Sequence, residues 1–391
     1  MTETTTVLVT DAEYISALSA VRSLGRAGYR VVAVSRRRLA HSFRSRYCAR
    51  HAVVPDVARD PEAFLSRLDA IYRRERCAAL VPVYRGTIRA LLARPDPGRT
   101  TLLPPAESFA LADDKARLHA WAVARGFPVP RSATWDGDGD PARGAREAGL
   151  APPFVVKAAV GEGAREVRYA DGWNDLHRRA ADLAGLGSLL IQERAAGAGY
   201  GVSCLFGQDG RRIASFVHRR LRENPPSGGA SVLRESVRWP ELEALGVAIL
   251  RALDWRGLAM AEFKADAQGR PLLLEINPRF WGSMPLAVAA GVDFPRLYVE
   301  EALGRRPAPV TTYPAGVRAH RLLFAGLAVL PHYVLRSRSP LAALRESFSF
   351  RDGRTHEDIF SFRDPGPAFG RLIYSAVELA RGLARRVRGP R

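Results

Sequence analysis

Lysine is almost missing from this chain. Of the 59 Lys and Arg among 391 residues, Lys115, Lys157 and Lys264 are the lysines and all the rest are arginine. The two cations substitute for each other on a solvated surface, but not where a compact point charge is needed. A chain that has drifted towards Arg keeps Lys where Arg fails, or keeps it by chance, so these three positions are the first to locate. Cysteine is scarce too. Cys48, Cys77 and Cys204 are too few and too irregularly spaced for a disulfide framework or a zinc knuckle, and they fit a reducing cytoplasm. Long apolar runs are missing: the longest near the C-terminus, Leu322 to Leu335, is 14 residues and is broken by Pro331. Spanning a bilayer takes ~20. Met1 is followed by Thr2-Glu3-Thr4-Thr5-Thr6, without the basic and apolar regions of a signal peptide.

The remaining composition is that of a globular protein, 47% hydrophobic and 25% charged, which rules out a collagen-like or wholly disordered chain. The length predicts two or three subdomains. The net charge of +19 is uneven. Tyr14 to Pro55 holds nine arginines and no acid, and Gly316 to Arg391 holds 14 arginines against six acids. The end, with Arg381, Arg385, Arg386, Arg388 and Arg391 among Leu372, Ile373, Val377, Leu379, Leu383 and Val387, reads as a basic amphipathic helix. Such an end suits peripheral contact with an anionic membrane, or is simply a solvated helix face. No helix-turn-helix, zinc finger or aromatic RNA platform is present, so no specific nucleic-acid partner is expected.

Thr6–Thr10, Ile15–Gly25 and Val31–Val34 read as a strand, a helix and a parallel strand. The turn Thr10-Asp11-Ala12-Glu13-Tyr14 has no glycine, so the G-x-G-x-x-G of a dinucleotide site is missing. Leu102–Pro105 marks a boundary, and Asp113-Asp114-Lys115 opens a helix that runs to Gly126. Strands are expected at Phe154–Ala158, Glu166–Tyr169, Leu189–Glu193, Val202–Phe206, Ile213–His218, Gly257–Lys264 and Pro271–Ile276. Helices are expected at Trp173–Leu186 and Glu241–Leu253.

The strongest chemical signal is Leu272-Leu273-Leu274-Glu275-Ile276-Asn277-Pro278-Arg279. Glu275 and Asn277 are two apart on a strand and so share a face. Pairing with the preceding strand through Ala265–Arg270 sets Glu262 against Glu275. Two carboxylates and an amide oxygen suit Mg²⁺ shared with substrate phosphates; the plain alternative is a surface pair with Arg279. Lys157, followed by Gly161 and Gly163, suits a triphosphate, although a plain hairpin turn fits the glycines as well. The Walker A spacing is missing.

Taken in order, the helix-start lysine, the strand lysine with its glycine turn, Gln192-Glu193 and the Glu262 … Glu275-Ile276-Asn277-Pro278-Arg279-Phe280-Trp281-Gly282-Ser283 run resemble the ATP-grasp superfamily. The likeness is to its carboxylate–amine ligase branch and covers about residues 7 to 310. The superfamily also holds biotin carboxylase, D-alanine–D-alanine ligase and the carbamoyl-phosphate synthetase large subunit. The resemblance implies an α/β fold in which a pre-ATP-grasp Rossmann-like parallel sheet (1–105) precedes a two-lobed ATP-grasp fold of α+β type (106–310). The lid lobe would be about 120–195 and the metal lobe about 196–310, with a basic C-terminal extension at 311–391. Lys115 and Lys157 match the phosphate-binding lysines, Ala159–Ala164 the closing glycine loop, and Gln192, Glu193 and Ala195 the adenine hinge. Glu262, Glu275 and Asn277 match the ligands of Mg²⁺, for which Mn²⁺ can substitute. Arg279 matches the arginine that steadies the acyl-phosphate, and Lys157 joins it in catalysis. The acid that relatives place beyond the hinge for the ribose is missing from Gly197-Ala198-Gly199-Tyr200-Gly201.

His218-Arg219-Arg220-Leu221-Arg222-Glu223-Asn224-Pro225-Pro226-Ser227-Gly228-Gly229 reads as a loop beside the acceptor pocket. Arg219 or Arg222 would grip a substrate carboxylate while Gly228 and Gly229 close over it; a hairpin with solvated arginines is the alternative. Lys264 shares the face of Glu262 and would balance the acidic cluster. The resemblance therefore implies a cytoplasmic ATP-dependent ligase, with a homodimer as the expected assembly. It would join a small carboxylate to an amine through an acyl-phosphate, releasing ADP and phosphate. Carboxylation or thioester chemistry, and a non-catalytic nucleotide-binding scaffold at a membrane surface, are the rival readings.

Overall fold

A computed structural model describes residues 4–161, 166–337, 339–348 and 353–387. Its first sheet is parallel: β1 (Thr6–Val9), β2 (Arg30–Ser35), β3 (Cys48–Val53) and β4 (Ala79–Val81) lie in the order β3-β2-β1-β4. Every residue of β1 is buried, as an unbroken apolar run between two neighbours requires. The helices Ile15–Arg26 and Pro61–Arg74 return the chain between parallel strands. Just past β1, Asp11 takes a left-handed conformation (φ 58°). Its carboxylate accepts from Thr87 Oγ1 at 2.9 Å and from the Tyr84 amide at 3.0 Å, tying the exits of β1 and β4 together. Burial pushes this carboxyl up to about 6, with nearby Glu13 adding to the rise.

The second sheet is antiparallel. It holds β5 (Ser132–Trp135), β6 (Phe154–Ala158), β7 (Val167–Ala170) and β8 (Leu189–Glu193) in the order β5-β8-β6-β7. Its buried face packs on the helices Pro141–Glu147 and Trp173–Ala181. The expected longer helix to Leu186 is broken there, and Ala184–Leu186 form a separate 3₁₀ turn.

The third sheet has seven strands. These are β9 (Gly199–Phe206), β10 (Arg212–Asn224), β11 (Ala230–Ser236), β12 (Gly257–Ala265), β13 (Pro271–Asn277), β14 (Arg318–His320) and β15 (Thr355–Glu357), ordered β13-β12-β9-β10-β11-β14-β15. Helix Pro240–Ala252 covers it, one residue off the expected span. Two features differ from the sequence reading. The arginine-rich stretch read as a loop from His218 onward is strand as far as Asn224, its arginines finding acids on adjacent β11 and, across β9, on β12.

The chain beyond Thr311 also enters the sheet as β14 and β15. Buried charges hold it there. Arg234 Nη2 lies 2.5 Å from Asp358 Oδ1, with both side chains fully buried, and Arg321 Nε lies 3.3 Å from Asp358 Oδ2. Asp364 accepts from Arg22 Nε, Ser45 Oγ and the Arg46 amide, each at 2.8 Å, which fastens the C-terminal segment to the first sheet's domain.

Candidate functional site

The β12–β13 hairpin turns through 266–270, and its register sets Glu262 opposite Glu275 and Met260 opposite Asn277. Beyond β13 the chain is anchored by Phe280 and Trp281, each 1% exposed. Phe280 packs edge-on to Tyr298 and Trp281 edge-on to Phe294. Burying two such rings contributes roughly 1.5–3 kcal/mol each, so the run Glu275–Arg279 leaves the sheet along a fixed path.

Asn277 Nδ2 donates to Glu262 Oε1 at 2.8 Å, and the Arg220 guanidinium is paired with Glu262 Oε2. Burial raises the Glu262 carboxyl, and adjacent Glu275 adds to the rise against the pull of Arg220. Glu275 is half-buried, and Lys115 and Lys157 overcome its desolvation and hold its carboxyl below the usual range. Among the described residues no three or more of His, Cys, Asp and Glu converge. The donor set is therefore two carboxylates and one amide oxygen, which matches the way Mg²⁺ is held by one or two carboxylates with phosphate and water oxygens completing its shell.

Both site lysines meet this hairpin. Asp114 caps the helix Lys115–Ala124 through the amides of Ala116 and Arg117, both at 3.0 Å. The cap directs Lys115 inward: its Nζ donates to Gly161 O at 3.0 Å and lies 3.8 Å from Glu275 Oε2. Lys157 rises from β6 and crosses between sheets to donate from Nζ to Leu274 O at 3.1 Å. Burial lowers its ammonium to about 8, with Glu275 opposing the fall and Lys115 reinforcing it. Arg279 is close enough for its charge to lower both carboxyls, and its Nη1 donates to Phe280 O at 3.0 Å.

The other predicted positions are distributed around this centre. Gly161 O accepts from Lys115 and, at 2.8 Å, from Arg85 Nη1; Gly163 lies outside the described residues. Gln192 ends β8 buried, its Nε2 donating to Ser132 Oγ at 2.8 Å. The Glu193 carboxylate accepts from Arg131 Nε at 3.0 Å and from the Ala151 amide at 2.8 Å. Ala195 sits half-buried in the connection from β8 to β9, whose Gly197 amide donates to Ala265 O at 2.9 Å. Lys264 is half-buried, its ammonium lowered by burial against the attraction of Glu223. His218 is fully buried, which drives its pKa well down and keeps it neutral, 3.3 Å from Ser283 Oγ.

Arg219 and Arg222 turn elsewhere. Arg219 lies against Glu235 at 2.5 Å. Arg222 is buried against the C-terminal segment, donating to Glu346 Oε2 at 2.7 Å and Ala343 O at 3.0 Å. A bulge between Arg220 and Arg222 sets this phase. Arg220 is the arginine that reaches the centre, its Nη1 3.2 Å from Glu223 Oε1 and 3.4 Å from Gly229 O. Its path crosses β9 over Gly199, where a Cβ would stand 3.1 Å from Arg220 Cδ. Gly199 clears this face of β9 for Arg220, whereas Gly201 clears it for His218. Gly228, at φ 136°, needs glycine's freedom, and its carbonyl accepts from Tyr169 Oη at 3.2 Å on the second sheet.

Residues 186–322 match the family model described as ATP-grasp in the biosynthetic pathway with Ter operon. No curated protein matches the sequence. Solved structures do. The biotin carboxylase–β-γ-ATP complex from Campylobacter jejuni is 18% identical, aligns 81% of this chain with 74% of its own, and has a TM-score of 0.63. N5-carboxyaminoimidazole synthetase from Staphylococcus aureus, complexed with ADP, is 14% identical over 80% of each chain, with a TM-score of 0.64. An L-amino acid ligase from Bacillus licheniformis is 16% identical over 79% of this chain and 76% of its own, with a TM-score of 0.59. Residues 186–322 thus match an ATP-grasp family model, and the chain shares the overall fold of these ATP-dependent enzymes.

Proposed function

We propose that the protein is an ADP-forming ligase that joins a small carboxylate to an amine. The observation that carries this reading is the meeting of Lys115 and Lys157 with the Glu262–Glu275–Asn277 hairpin across two sheets. Lys115 and Lys157 hold the ATP phosphates. The Gln192–Ala195 connection frames the adenine with its backbone groups. Glu262, Glu275 and Asn277 hold Mg²⁺, and Mn²⁺ fits the same oxygens. When bound, the metal supplies charge neutralisation at the phosphates.

The substrate carboxylate oxygen attacks the γ-phosphorus, the bond to the β-phosphate oxygen breaks, and ADP leaves. Arg279 steadies the resulting acyl-phosphate. Arg220, between Glu262 and the Gly228–Gly229 turn, is the arginine placed to meet the substrate's anionic end, in the role first expected of Arg219 or Arg222. The amine then attacks the acyl carbon, and phosphate departs with the electron pair of its C–O bond and takes up the proton that the amine nitrogen gives up. Positioning and fixed charge do most of this work, and exclusion of water protects the acyl-phosphate.

The test is an ADP-release assay on paired amino acids and small carboxylates, with bicarbonate as a separate arm. ADP and phosphate released only when acid and amine are both present support the ligase. Turnover with bicarbonate alone makes the protein a carboxylating enzyme, and AMP with pyrophosphate overturns the acyl-phosphate route.

A further inference from the structure

The C-terminal segment sorts its side chains in an unusual way. Among the described residues, thirteen large hydrophobic side chains are exposed, and nine of them fall between Leu327 and Ile373. Phe362 is 92% exposed, Leu335 82% and Leu341 71%. Leu341, Leu344 and Phe348 follow i, i+3, i+7 spacing along and just past the helix Pro340–Ser347, so they share one face. That helix packs against the helix Leu327–Leu335, which carries the exposed Leu327 and Leu335. Phe369, Leu372 and Ile373 form a second stripe at i, i+3, i+4 spacing on the helix Gly366–Val387.

The charges are sorted as well, by sign. Every acid with a described side chain between 327 and 377 is engaged by a partner within the fold. Glu346 pairs with Arg222 and Arg318. Asp358 pairs with Arg234 and Arg321, and Asp364 with Arg22. Glu357 accepts from the Ile359 amide at 2.6 Å. The arginines Arg336, Arg345 and Arg363 are exposed beside Leu335, Leu344 and Phe362. The outer surface of this segment thus offers apolar side chains and positive charge, while its described acids are neutralised or hydrogen-bonded within the fold.

We propose that this surface docks on an anionic lipid bilayer. Headgroup phosphates take the arginines while the boundary with the acyl chains takes the leucines and phenylalanines, and both needs are met by one partner. A nucleic acid matches the charge but leaves the leucines in water. A two-fold contact between copies buries the leucines but sets like charges against each other. No helix among the described residues is long and apolar enough to cross a membrane, so the segment lies on the bilayer.

Vesicle sedimentation of the full chain tests this, with pure POPC vesicles and vesicles of equal parts POPC and POPG. The expected result is partitioning into the POPG vesicles on the order of tenfold or more above POPC, weakened at high salt. Leu341→Asp with Leu344→Asp, and separately Arg336→Gln with Arg345→Gln and Arg363→Gln, should each lower that partitioning by about tenfold or more. Because these positions are exposed, Tm should stay at the wild-type value in both variants. Equal partitioning into both vesicle types, no binding to either, or variants that bind like the wild type overturn the proposal. So does a lipid-free dimer that the leucine variant splits without changing vesicle binding, which would make the face a subunit contact.

Discussion

Glu262 and Glu275 stand opposite each other on paired strands, and their surroundings drive them apart. Burial raises Glu262, whereas Lys115 and Lys157 hold Glu275 down despite its own partial burial. Two half-buried carboxylates facing each other offer oxygen donors that a divalent cation would share with phosphate oxygens. Glu275→Gln should therefore weaken ADP binding in the presence of Mg²⁺ by about tenfold or more, while ADP without metal binds nearly as to the wild type. Titration calorimetry with and without Mg²⁺ reads both quantities. Equal losses in the two conditions would remove the metal assignment.

Lys157 carries a pH signature. Its ammonium titrates at about 8 because burial outweighs the attraction of Glu275. Phosphate binding needs the protonated form, so ADP affinity should hold steady below that pH. Above it, affinity should fall, approaching about tenfold per pH unit. Lys157→Met should bind ADP weakly and show no such fall. A wild-type affinity that stays flat to about pH 9.5 contradicts the role given to this lysine.

The two neighbouring arginines of β10 should behave differently on substitution. Arg220 is half-buried between Glu223 and Glu262, and removing it leaves two half-buried carboxylates without their cation. Arg220→Gln should destabilise the fold by roughly 1–3 kcal/mol in urea titration, with Arg220→Lys recovering part of the loss. Arg219 pairs with Glu235 while remaining partly exposed, and Arg219→Ala should cost below about 1 kcal/mol. Equal costs would mean that Arg220 is not the residue held at the centre.

Much of the centre was legible because strand periodicity is strict. Once Glu275 and Asn277 are placed on a strand and the turn is located near 266–270, the two-residue alternation brings Glu262 to the same face. The lysine count worked for a related reason, since two of the three rare lysines meet this hairpin. Arg220 was harder to see. Which of three arginines faces the site depends on a bulge between Arg220 and Arg222, and on the missing side chain of Gly199 one strand away. Neither is a local property of the stretch around Arg220. The C-terminal strands were hidden for the same kind of reason. Three-residue strands have no periodicity to read, and β14 and β15 are specified by partners far along the chain, Arg234 and Arg22 among them.

The Arg234–Asp358 pair measures how far the C-terminal segment is part of the fold. Both side chains are fully buried, on β11 and just beyond β15. Breaking a buried pair from one side leaves an uncompensated charge, which costs about 3–5 kcal/mol. Arg234→Met should lose that amount, and Asp358→Asn somewhat less, because the amide can still accept hydrogen bonds from Arg234 and Arg321. The double variant should lose less than the sum, by roughly 1–3 kcal/mol, since the two residues share one interaction. Urea titration of the four proteins closes the cycle. Additive losses would mean that the two residues do not interact in the folded protein. A second, low-denaturant transition in Arg234→Met alone would show the segment beyond Thr311 unfolding ahead of the sheet it joins.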